Sequence, residues 1–206
     1  YILSGYIINY MGNSQQDPKI LIRLLRIFTD SLIEWIDSLP NKFSDDEIGR
    51  RVKERTLMHR NKMIGAGLIM VIATIEGEIK KKYGLPYPIP RNIPHYTYRP
   101  YIRIIDYLIH TFDRRMTWYG WEELENIYRI RHCFVHNLGY LIRGHDIHIR
   151  NFLNRLSQGQ IKDRNGNSVR PYYNLSQAGE ILLETDILYR LRVLSADLLK
   201  SLNILQ

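Results

Sequence analysis

The stretch "RIRHCFVHNLG", residues 129–139, brings together two arginines, two histidines and the only cysteine of the chain. An imidazole titrates near neutrality and can take or give a proton. A guanidinium stays charged and forks onto phosphate oxygens. Together they suit acid–base chemistry at a phosphodiester, where a base, an acid and a cation are all needed. Histidines four positions apart can also share a metal, and a zinc set could be drawn from His132, Cys133, His136, His145 and His148. No C-x2-C or H-E-x-x-H frame accompanies them, so no metal and no other cofactor is expected.

A helix over 124–141, at about 100° per residue, puts Ile127, Ile130, Phe134, Leu138 and Leu141 on one narrow face, the expected core side. Glu125, Arg129, His132 and His136 then form a stripe on the opposite face, without the Lys and Gln that usually fill a solvated one. Arg131 lies about 140° from His136 on such a helix, although its long side chain can swing towards a partner surface. Cys133 diverges from the two histidines by about 60° or more, which suits a half-buried packing thiol better than a nucleophile. A second R-x4-H spacing, Arg143 to His148, contains Gly144 and Asp146. It is not expected on an amphipathic helix and is set aside.

Several elements must carry this helix. Residues 18–39, "PKILIRLLRIFTDSLIEWIDSL", repeat apolar residues at three- and four-residue intervals, with Asp17 as cap and Pro40 beyond the end. "SDDE" at 44–47 is a capping-box pattern that opens a long helix running to Tyr83 and stopping at Gly84. Its first half carries Arg50, Arg51, Lys53, Arg55, Arg60 and Lys62. This run can line an RNA path or be a solvated face paired with acids. Its apolar second half is followed by Glu76 and Glu78, for which a surface position is the default. Residues 84–100 hold five prolines and read as an extended connection whose tyrosines pack it onto the body. A helix restarts near Tyr101, and another spans about Trp121 to Leu141. Asn165-Gly166 marks a hairpin turn between two short strands, and residues 184–202 close the chain as an amphipathic helix. The fold class is mainly α: a helical bundle with a small β-hairpin near the C-terminus. The expected division is an N-terminal arm over 1–60 and a helical domain over 61–206, or one continuous domain.

The chain has 206 residues, 29 Lys plus Arg against 21 Asp plus Glu, and a formal charge of +8, which favours an anionic partner, nucleic acid first. One cysteine excludes an internal disulfide, and a reducing cytoplasm is the expected compartment. The longest apolar run, Met63–Ile75, is interrupted by Gly65 and Gly67 and is too short to span a bilayer, so no membrane is expected. The chain opens on Tyr1 rather than Met, and no targeting signal is read from its first residues.

"RHCFVH", Arg131 to His136, resembles the R-x4-H motif of the HEPN superfamily of helical nucleases and nucleic-acid-associated domains. His132 matches the family's preference for a polar residue after the arginine, and Phe134 and Val135 match its apolar run. "VHNLG" is similar to the VHN-plus-glycine end of this helix in prokaryotic defence branches. "ATIEGEI" on an earlier helix and the late hairpin-then-helix order agree more loosely. The resemblance implies a metal-independent endoribonuclease of a defence or toxin system, active as a homodimer whose two motifs meet across the interface. It makes His136 the general base or acid and Arg131 the phosphate clamp. His132 orients the site, and Arg129, Glu125 and Asn137 support it. RNA is the implied substrate, with an antitoxin or regulatory protein as a further partner. The toxin branch modified by a nucleotidyltransferase antitoxin carries a Tyr two residues after the motif His. Leu138 stands there in this chain, so that mode of neutralisation is not expected. The alternative is a non-catalytic module of this kind that binds RNA or protein within a larger complex. Helix geometry pairs Arg129 with the histidines, whereas the family pattern selects Arg131.

Overall fold

The computed structural model describes residues 18–83 and 119–201. The chain order of elements is α1 (Pro18–Asp37), α2 (Glu47–Tyr83), α3 (Trp121–Asn137), α4 (Asp146–Ser157), β1 (Tyr173–Leu175), β2 (Ile181–Leu183) and α5 (Asp186–Ser201). The fold is mainly helical with one small antiparallel hairpin near the C-terminus. The proline-rich stretch, the helix expected near Tyr101 and the Asp17 cap lie outside the described residues.

The second half of α2 is the axis of the core. Ile64, Leu68, Val71, Ile72, Ile75 and Ile79 recur at three- and four-residue intervals and are all buried. Against them pack Ile127, Ile130, Cys133 and Phe134 of α3, and Leu188, Leu191, Leu194 and Leu198 of α5. Leu25 and Ile36 of α1 join the same core. At about 1.5 Å per residue α2 is roughly 55 Å long, and the boundary considered between residues 60 and 61 falls inside it.

Two polar devices lock α3 and the hairpin onto this frame. Glu123, almost fully buried, accepts two hydrogen bonds from the Arg190 guanidinium of α5, at 2.9 Å from Nε and 2.5 Å from Nη2. The forked geometry satisfies both carboxylate oxygens, which a buried charge requires. Asn61 of α2 is also buried: its Nδ2 donates to the Ile181 carbonyl at 2.8 Å and its Oδ1 accepts from the Leu183 N–H at 2.9 Å. One side-chain amide thus satisfies backbone groups on the edge of β2 that β1 leaves open.

Two expectations about elements are corrected, and one element is added. The motif helix ends at Asn137 rather than Leu141, because Leu138 turns into the left-handed region at φ 52° and Gly139 follows at φ 95°. Leu138 is therefore 73% exposed and not on the core face, while Leu141 packs on the core from beyond the helix. The Asn165-Gly166 turn closes only a single bridge, Lys162 to Ser168. The two strands instead flank the turn at 176–180, where Gly179 supplies φ 79°. The added element is α4, over residues for which the sequence predicts none.

Candidate functional site

Phe134, inside the motif, positions α3. A Cβ on Gly65 of α2 would lie 2.2 Å from its ring, and one on Gly139 would lie 3.0 Å from it. The ring fills the space that two missing side chains leave, so the motif helix approaches α2 at the distance a glycine allows. Beyond the helix the chain is tied to the hairpin: Ile181 N–H donates to the Gly139 carbonyl at 2.9 Å, and Leu141 N–H donates to the Gly179 carbonyl at 2.9 Å. Asn137 Nδ2 donates to the carbonyls of Tyr140 and Leu141, both at 3.2 Å, so this residue braces the turn. That turn delivers His145 at the start of α4.

The imidazoles gather as a result. The His132 and His136 rings lie 4.3 Å apart between centroids and are tilted by 52°. The His145 ring stands edge-on to His132 at 5.2 Å. His136 is exposed in the last turn of α3, while His132 and His145 are half-buried. Burial, with the neighbouring His136, His145 and Arg131 charges, pushes His132 down to about 4, so this ring is neutral at pH 7. Burial and the charges of Arg129 and His148 also lower His145, against the opposing effects of the Gly144 backbone and Asp146. Among the described residues, no group of three or more His, Cys, Asp or Glu side chains is arranged to hold a metal ion.

The two candidate arginines have different surroundings. Arg129 is nearly buried and ion-paired with Glu125, one helical turn earlier, at 2.5 Å. It borders a groove of about 190 Å³ between α3 and α4, which Asn126, His148, Asn151 and Arg155 also line. Arg131 is half-buried, and among the described residues its enclosed Nε has no hydrogen-bond partner. Its charge acts on His132 and also on the buried Tyr128, whose phenol is pushed well up by burial and by Glu76. Glu76 is half-buried and faces α3 rather than lying on an open surface. Cys133 is fully buried, and burial pushes its thiol up, as expected of a packing residue.

The basic run lies on the exposed first half of α2. Arg51 pairs with Glu47 at 2.5 Å, and Arg60 with Asp37 at 3.4 Å. Among the described residues no carboxylate pairs with Arg50, Lys53, Arg55 or Lys62. From Gly65, where Phe134 seats, the run reaches about 22 Å along the helix to Arg50. A second cavity, of about 230 Å³ near Asp163, Arg170 and Tyr189, contains none of the residues singled out from the sequence.

The sequence offers His145 and His148 as possible metal ligands, and His148 also as the end of the set-aside Arg143 spacing, but α4, which has His145 at its N-cap and carries His148, is not expected. The signal was present in "DIHIRNFLNRLS": Ile149, Phe152 and Leu156 are spaced for one helical face, and all three are buried. Of the Arg143 to His148 spacing, Arg143 sits in the turn before Gly144 and His148 on α4. Compared with family models, with curated proteins and with solved structures, the chain matches none of them.

Proposed function

We propose that this protein is a metal-independent endoribonuclease of the HEPN type, acting as a toxin or effector in defence and working as a homodimer. The observation that carries the reading is the cluster of imidazoles beside Arg129 and Arg131, at the end of a helix whose sequence resembles the R-x4-H motif. Cleavage of RNA through its own 2′-OH needs a proton acceptor, a proton donor and a cation for the phosphorane charge. His136 is the proton-transfer residue and Arg131 the phosphate clamp, with His132 orienting the scissile group as a neutral ring. Glu125 fixes Arg129 as second cation. The basic face of α2 supplies a path for the rest of the strand. The products are a 2′,3′-cyclic phosphate and a 5′-hydroxyl end.

A second reading, a non-catalytic RNA- or protein-binding module, is favoured by one observation: Arg131 shares its surroundings with Tyr128 and Glu76 as well as with His132. Cleavage of total RNA by wild type, His136→Ala and Arg131→Ala, with the cut ends mapped, separates the two. Each substitution is expected to lower the rate by about 10²-fold or more; undiminished cleavage in both variants would remove the catalytic reading. EDTA should leave the rate unchanged, whereas its loss would point to a metal instead. Mixing the two inactive variants tests the dimer, because a site drawing arginine from one protomer and histidine from the other regains activity in the mixed species.

A further inference from the structure

The resemblance provides one proton-transfer histidine, but in-line displacement at a phosphodiester needs a proton removed from one oxygen and another delivered to the opposite one. His145 lies outside the motif, at the N-cap of another helix, yet it reaches the same cluster. Its ring stands edge-on to His132 at 5.2 Å, and His136 lies 4.3 Å from His132. Two rings that each lie within about 5 Å of a third can bracket one phosphate, because donor and acceptor need only come within roughly 3 Å of the oxygens they serve. The placement of His145 is also fixed: the Gly139 and Leu141 backbone bonds hold the turn to the hairpin, and His145 N–H donates to the Ile142 carbonyl at 2.9 Å.

We propose that His145 is the general base of the reaction and His136 its general acid, so that one protomer supplies both proton-transfer groups. This rests on the endoribonuclease reading above. Neutral His145 takes the 2′-OH proton as O2′ forms its bond to phosphorus. The bond from phosphorus to O5′ breaks, and protonated His136 gives its proton to the leaving O5′. One proton enters at His145 and one leaves from His136, so the charges balance. The assignment of roles follows the surroundings. Arg129 and His132 of α3 face His145, with Arg131 acting on His132, and His148 and Asp146 flank His145 on α4. The cations among these outweigh Asp146 and, with burial, favour the neutral ring that a base must present. His136 is exposed, where a leaving group can be met and a proton replaced from water.

The test separates base from acid by the leaving group. Nucleoside 3′-(p-nitrophenyl phosphates) of the four bases expel an anion that needs no proton, so loss of the acid hardly matters for them. His136→Ala is expected to be slowed about 10²-fold or more on RNA yet to approach wild type on the activated esters. His145→Ala and His145→Asn are expected to be slowed about 10²-fold or more on both. The acid limb of kcat/KM, set by the base, is expected below the ordinary imidazole pH in wild type and absent in the His145 variants. RNA cleavage within threefold of wild type in His145→Ala, with His136→Ala inactive, would overturn this assignment and leave the endoribonuclease standing. Wild type and His136→Ala that cut RNA equally well would remove both. Should the His145 variants not fold, the histidine ring protons of wild type are followed by NMR as an uncleavable 2′-deoxy oligonucleotide is added. Shifts at both His136 and His145 are expected, and an unmoved His145 overturns the proposal.

Discussion

His132 couples the site to pH. In the unfolded chain it binds a proton as pH falls through its ordinary 6.5; in the folded chain it resists until about 4. Between these values the unfolded state holds more protons, so stability falls on acidification. His145 shifts in the same direction. The urea midpoint is therefore expected to drop from pH 7 to pH 5, and His132→Gln should flatten that dependence; a midpoint independent of pH would contradict the burial described for the ring. Leu138 is a second informative residue, being apolar, exposed and left-handed at φ 52°. A left-handed L-residue costs about 1–2 kcal/mol, so Leu138→Gly is expected to raise stability by up to about 1 kcal/mol after the extra chain entropy of glycine, measured by denaturant melts. The polar stripe of Glu125, Arg129, His132 and His136 was legible in the sequence because it depends only on helical spacing. The helix end was not, since "VHNLG" carries its left-handed residue one position before the glycine that advertises it.

At the scale of elements, the site depends on how closely α3 can approach α2. Gly65→Ala would set a methyl against the Phe134 ring and is expected to destabilise by about 1–3 kcal/mol, read from thermal or chemical melts. Phe134→Leu in the same background would return part of that loss, since a smaller side chain relieves the crowding. Asn61→Ala leaves the Ile181 carbonyl and the Leu183 N–H unpaired in the core, at an expected cost of about 2–3 kcal/mol. Both effects involve elements the sequence revealed: the long helix ends at Tyr83 and the motif helix begins at Trp121 as expected, although Asp46 rather than Ser44 accepts the N–H of Gly49 at the start of the former. Their partners were harder to read. Gly65 looks like a flaw in an apolar helix until its neighbour is known, and Asn61 looks like one more polar residue in a basic run. The hairpin was placed one turn too early because Asn165-Gly166 is the stronger local signal. The bonds on the edge of β2 that β1 leaves open, from Asn61 and Gly139, come from far away in sequence.

For the whole molecule, the proposed function makes the formal charge of +8 the determinant of how an RNA strand would be met. Single-stranded RNA binding should weaken with salt, and removing a cation that neutralises one phosphate should lower the slope of log K against log salt by about 0.7. Lys53→Ala and Arg55→Ala are expected to show that change, whereas Arg51→Ala should show less because Glu47 already pairs with it. Equal, negligible changes in all three would move the RNA path off this helix. Among the described residues no helix is long and apolar enough to cross a membrane, in accord with the interrupted run at Met63–Ile75.

The Asn61 amide also bears on when the molecule can become itself. It joins positions about 120 residues apart, and the turn carrying His145 is held by the same strand. Closing so long a loop is slow, and its entropy must be met before the contacts reward it. During synthesis from the N-terminus, α2 and α3 emerge well before β2, so His132 and His136 share their helix early, while the turn that carries His145 gains its hairpin bonds only once residue 181 has been made. His145 is thus the last of the three imidazoles to be secured, a delay written into topology.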